Sequence, residues 1–178
     1  DLLIRRIDGK GISHSAVWES SRRSLKRLRK QDGPYLPRSL SIEGEIMDGQ
    51  TCFQALAEGG RILLTGPGGM GKTRFLQELL GRNMQSYRPA GPAVVYIPLV
   101  DYQEAGEEPY YIRKWILRGL RYSGQSGGMD EALHELDHLL DQGREEGGGV
   151  VLLLDGLNEA GRKRRALLQE VEELGNKP

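Results

Sequence analysis

Residues 61–80 read RILLTGPGGMGKTRFLQELL, and the fold class turns on them. Arg61–Thr65 is short and apolar and predicts a strand. Gly66-Pro67-Gly68-Gly69-Met70-Gly71-Lys72-Thr73 matches G-x-x-x-x-G-K-[ST] at every fixed position. Lys72–Leu80 predicts a helix with Phe75, Leu76, Leu79 and Leu80 on its apolar face and Gly81 at its end. Glycines let the backbone curl so that successive N–H groups aim at phosphate oxygens. The helix N-terminus adds partial positive charge at the same place. On this pattern the Lys72 ammonium reaches the β- and γ-phosphates, the Thr73 hydroxyl ligates magnesium, and Arg74 follows in the first helical turn. The competing reading is a chance match in a chain with 25 glycines. The order of strand, glycine loop and helix is the context that separates the two.

Working outward, the rhythm repeats. Ala93–Val100 (AVVYIPLV) predicts a second strand, with Pro98 marking an edge or a strand terminus. Pro109–Tyr122 and Asp130–Gln142 predict helices, the second opened by a good capping residue. Val150–Leu154 (VVLLL) predicts a third strand, apolar throughout and so expected to be buried on both faces. Arg162–Leu174 predicts a last helix. Upstream, Ser15–Lys30 has helical character ended by Asp32-Gly33-Pro34, residues 35–46 read as extended or irregular, and Asp48 caps a helix through Ala57. Strands alternating with helices indicate an α/β fold: three layers, with a mainly parallel sheet covered by helices. Residues 1–34 are expected to form a helical arm or linker, and 35–178 the nucleotide-binding domain.

The end of the third strand carries the second chemical signal. In Val150–Glu159 (VVLLLDGLNE) an apolar run stops at an acid. Asp155 is expected to hold magnesium through a water, because that ion keeps much of its hydration shell. Glu159, four residues on, is placed to orient or activate an attacking water. An ordinary carboxylate at a strand end is the bland reading of Asp155, and an exposed turn carboxylate that of Glu159.

Composition narrows the class. The chain has 178 residues, 38% apolar and 28% charged, which suits a soluble globular domain. Lys plus Arg equals Asp plus Glu at 25 each, so overall charge argues for neither nucleic acid nor a membrane. Cys52 is the single cysteine, so no internal disulfide can form and a reducing compartment fits best. The apolar runs are too short to span a bilayer, and no signal-peptide pattern is visible at the start. The first residue is Asp1 rather than Met, as expected of a fragment or processed chain.

TGPGGMGKT, then AVVYIPLVDY, then VVLLLDGLNEA resembles, in that order, the NACHT group of STAND-type P-loop NTPases. The resemblance covers roughly residues 35–175. In that family the segment after the acidic strand reads Asp-Gly, apolar, acidic, Glu; here it is Asp155-Gly156-Leu157-Asn158-Glu159. Tyr35-Leu36-Pro37 is similar to a short motif found ahead of the family's phosphate loop. The resemblance implies a cytoplasmic ATP- and magnesium-binding switch of innate-immune signalling, with weak hydrolysis. It further implies ADP latching a closed state, ATP permitting self-association, an effector region before this segment and a sensor region after it. Asn158 departs from the family's acid and removes a charge near the metal, so hydrolysis is expected to be slower or to rest on Glu159 alone. The family's next strand, which lies between the first and third strands found here, is missing, so the domain is expected to be incomplete at its C-terminus. Arg61–Thr65 is then expected to pair directly with Val150–Leu154, or the segment to be unstable.

Two rival signals remain. His134-Glu135-Leu136-Asp137-His138 matches the zinc-protease pattern H-E-x-x-H. Met129, Ala132, Leu133, Leu136, Leu139 and Leu140 form the apolar face of that helix, so His134 and His138 point towards solvent, the wrong side for an enclosed zinc. Arg22, Arg23, Lys26, Arg27, Arg29 and Lys30 form a basic cluster, and residues 162–165 another. A nucleic-acid-dependent ATPase is the reading they would support; a solvated helix face is the simpler one.

Overall fold

A computed structural model describes residues 12–28, 40–42, 45–85, 91–102, 108–122, 128–142, 149–161 and 164–176. Helix α1 (His14–Leu28) comes first, then a short antiparallel pair, β1 (Leu40–Ile42) and β2 (Glu45–Met47). Helices α2 (Gly49–Ala57) and α3 (Lys72–Asn83) follow, then strand β3 (Ala93–Pro98). Next come α4 (Tyr111–Leu120), α5 (Met129–Gln142), β4 (Val150–Asp155) and α6 (Arg165–Gly175). The chain is therefore mixed α/β with one parallel strand pair among the described residues.

β3 and β4 pair in parallel from Ala93↔Val150 to Pro98↔Asp155. Parallel neighbours need a crossover connection, and α4 and α5 lie within it. Pro98 ends β3, as its missing N–H demands. The continuous burial expected of Val150–Leu154 falls instead on β3. Ala93 to Ile97 are all buried, and because successive side chains face opposite ways, both faces of β3 are covered. α1, α3 and α4 all pack on that strand. In β4 burial alternates: Val151 and Leu153 are buried, Val150, Leu152 and Leu154 half-buried.

The arm expected over residues 1–34 is, in its described part, a helix laid on the sheet. Val17, Trp18 and Leu25 of α1 join the same apolar core as β3 and β4. The expected cap at Asp48 forms, its carboxylate accepting from Thr51 N at 2.8 Å. Gly81 does not stop α3; it lies buried within the helix, which runs on to Asn83 because Leu79, Leu80 and Met84 are packed. Asp32-Gly33-Pro34 and Tyr35-Leu36-Pro37 lie outside the described residues, as do residues 143–148.

The expected first strand also fails. Arg61–Thr65 forms no strand, and it does not pair with β4, whose partner is β3. The alternation of a strand survives: Ile62 and Leu64 pack against the core while Leu63 is 80% exposed. A strand exists only where a neighbour takes up its backbone groups, and among the described residues none does so here. Arg61 Nη1 instead donates to Asn176 Oδ1 at 3.5 Å, at the end of α6.

Three helices are tied by buried charge. Glu170 of α6 accepts from the backbone N–H groups of Ile112 and Arg113 at 2.9 and 3.0 Å, capping α4 from another element. It also pairs with Arg113 Nη1 at 3.3 Å, while Arg113 Nε donates to Asp137 of α5 at 2.9 Å. Glu170 and Arg113 are both buried. Tyr110, which would supply a local cap, is left-handed at φ 58° and supplies none.

Candidate functional site

Three glycines shape the loop ahead of α3. Gly66, Gly69 and Gly71 have φ of 148°, 77° and 82°. Only glycine takes up such angles without strain, and they let the backbone curl so that successive dipoles converge. A side chain added at Gly66, Gly68 or Gly69 would meet nothing within 4 Å, so the demand there is for backbone angle, not for room. Gly71, which has no side chain with which to cap the helix, precedes the first turn of α3. Pro67, Gly68, Gly69 and Met70 are exposed, and Lys72 Nζ folds back to donate to Gly66 O and Pro67 O, both at 2.8 Å. The ammonium thus sits inside the curl. Thr73 is exposed at the helix start, and Arg74 follows it.

The direction of α3 sets where that loop lies. Its last residue, Asn83, donates to Pro92 O at 3.0 Å, just ahead of β3. Two turns back, Gln77 hydrogen-bonds Tyr96, near the other end of β3. The helix therefore runs antiparallel to the strand. Lys72 lies five residues beyond Gln77, roughly 7.5 Å further along the axis at the usual helical rise. The loop is thereby carried to the carboxyl ends of β3 and β4. That end of a parallel sheet is where α/β proteins place ligands.

Asp155 closes β4 at this end and is half-buried. Its Oδ2 accepts a hydrogen bond from Tyr96 Oη at 2.7 Å. Burial first, then the Asp155 carboxylate, push the Tyr96 hydroxyl well above the ordinary tyrosine range; the Gln77 hydrogen bond works the other way. The Glu159 charge adds to the upward push, so Tyr96 senses both acids. A tight turn brings Glu159 back, its N–H donating to Gly156 O at 2.8 Å. Gly156 has φ 79°, and a Cβ there would lie 3.4 Å from Glu159 Oε2. The turn holds the Glu159 side chain over Gly156, next to Asp155. Arg164 Nη1 fastens the same turn by donating to Leu157 O at 3.1 Å. Asn158 is exposed.

The chain's own residues therefore fall into two groups at one end of the sheet: the loop with Lys72 and Thr73, and the acids Asp155 and Glu159. The Thr73 hydroxyl and the Asp155 carboxylate are hard oxygen donors of the kind magnesium takes. Tyr96 and Gln77 were not legible as site residues. Tyr96 reads as one more apolar strand residue, and only the β3–β4 register sets it beside the acid.

The rival motifs resolve differently. In the H-E-x-x-H segment, Glu135 accepts a hydrogen bond from Tyr122 and Asp137 pairs with Arg113, while His134 and His138 are exposed. No group of three His, Cys, Asp or Glu able to hold a metal is found among the described residues. Of the basic cluster on α1, Arg22 stacks over Trp18 at 5.6 Å and lies 3.8 Å from Glu19, and Arg23 donates to Gly119 O at 3.3 Å. Arg29, Lys30, Arg162 and Lys163 lie outside the described residues. No described helix is long and apolar enough to cross a membrane. Compared with protein-family models, curated proteins and solved structures, the chain has no match.

Proposed function

We propose that this chain binds a nucleoside triphosphate with magnesium, as a NACHT-like P-loop switch module of the three-layer, parallel-sheet type. The observation that carries the reading is the glycine-curled start of α3, carried by the direction of that helix to the sheet end where Asp155 and Glu159 stand. Residues 66–74 cradle the phosphates, and Lys72 exchanges its two loop carbonyls for phosphate oxygens. Thr73 and Asp155 hold the ion, which when bound screens phosphate charge. Glu159 orients a water. Asn158 leaves this end one charge short of the family's pattern, which suits weak hydrolysis and a switching role. ATP as the nucleotide, ADP-latched closure, nucleotide-gated self-association, partner regions on either side and a cytoplasmic place all rest on the resemblance. The structure adds no argument for the nucleic-acid-dependent alternative.

Binding of a fluorescent ATP analogue, with GTP as competitor, tests the reading. A charge-assisted hydrogen bond is worth about 1.5–3 kcal/mol. Lys72→Ala should therefore weaken magnesium-dependent binding by about 10- to 150-fold. Equal binding by wild type and Lys72→Ala would rule out the loop as the phosphate site.

A further inference from the structure

We infer that Tyr96 is a positioning residue that aims the Asp155 carboxylate at its ion; the inference rests on the magnesium–triphosphate reading above. Tyr96 stands opposite Leu153 in the β3–β4 register, and Leu153 shares a sheet face with Asp155, two residues on. The phenol therefore reaches diagonally to the carboxylate, and its Oη donates to Oδ2 at 2.7 Å. The ring is buried at 8% exposure and cannot swing away without opening the core. Asp155 is the last residue of its strand, followed by a glycine with φ 79°, so the backbone alone restrains it little. With Oδ2 held, Oδ1 is left to face the ion or one of its waters. Gln77, on the helix that carries the phosphate loop, also hydrogen-bonds the Tyr96 hydroxyl. Helix, phenol and carboxylate thus form one hydrogen-bonded chain joining the two halves of the site. Partners in the shell behind a metal ligand commonly change metal affinity by about 10- to 100-fold when removed.

Tyr96→Phe keeps the ring and deletes only the donor. The experiment titrates magnesium chloride into the 178-residue chain with a fluorescent ATP analogue, and also measures affinity in EDTA. In Tyr96→Phe the half-saturating magnesium concentration should rise about tenfold, with affinity in EDTA changed less than twofold. In an Asp155→Asn background the same substitution should add nothing, whereas a merely structural role would add equally in both. An unchanged magnesium midpoint in Tyr96→Phe overturns the inference. Failure of wild type to bind, or equal binding by Lys72→Ala, is a different result: it removes the triphosphate reading, and this inference with it. Should Tyr96→Phe not fold, Gln77→Ala serves in its place. A rise in the midpoint is then expected, and no rise overturns the inference.

Discussion

Two charged clusters in this chain use the same residue types to opposite ends. Between α4, α5 and α6, Arg113 is closed in by Glu170 and Asp137, and the acid also caps the start of α4. At the carboxyl ends of β3 and β4, Lys72 donates to two carbonyls of its own loop, and Glu159 is exposed. In the first cluster, acids from two other helices meet the buried guanidinium. In the second, Lys72 opens α3 while Asp155 ends β4 and Glu159 lies in the turn after it. Buried charge that finds every partner within the chain holds helices together. Charged groups carried by separate elements to one sheet end, beside a glycine-led helix start, are suited to meeting an anion and its cation.

The sharpest way to break this comparison is at Glu170. Glu170→Ala leaves the Arg113 guanidinium buried with less compensation and the first N–H groups of α4 without a cap. Removing one partner of such a pair costs about 3–5 kcal/mol, which urea unfolding would record as a large fall in midpoint. A loss under about 1 kcal/mol would mean the cluster is not closed as described. Lys72→Ala should behave in the opposite manner: stability should stay within about 0.5 kcal/mol of wild type while triphosphate affinity falls. If unfolding and binding weaken together, the loop lysine is structural and the contrast between the clusters disappears.

A pH titration sharpens the view of the packed side. Burial, then the Asp101 charge, raise the Tyr111 hydroxyl to about 12, with Arg118 opposing. The unfolded tyrosine ionises near 10. The stabilisation from keeping Tyr111 neutral is thus fully present below about pH 10 and is lost as pH rises towards 12. Tyr111→Phe should flatten the fall in thermal midpoint across that window; an unaltered slope would show that Tyr111 is not what titrates there. The smallest effect is expected at Leu63, which is 80% exposed. Leu63→Ser should change unfolding stability by no more than about 0.5 kcal/mol. A loss above about 2 kcal/mol would mean Arg61–Thr65 is packed as a buried strand after all.

Local chemistry was readable directly. The phosphate-loop pattern, the Asp48 cap, the apolar face of α3 and the strands at Ala93 and Val150 follow from residue type and short spacing, which act within a few residues of chain. Helix ends were readable only approximately, since packing carries α3 through Gly81 to Asn83. Strand pairing was not readable. RILLT has the composition of a strand, yet a strand is a relation between two segments, and tertiary structure gives β4 to β3 instead. The same holds for the partners of the candidate site and of the buried cluster. Tyr96 reaches Asp155 across 59 residues of sequence, and Glu170 caps Ile112 across 58. The sequence by itself determined the loop, the helix behind it and the acids that follow an apolar strand, because those depend on neighbours along the chain. Only the tertiary structure decided which strand lies beside which and which hydroxyl holds the acid, because those bonds exist only once distant segments have packed.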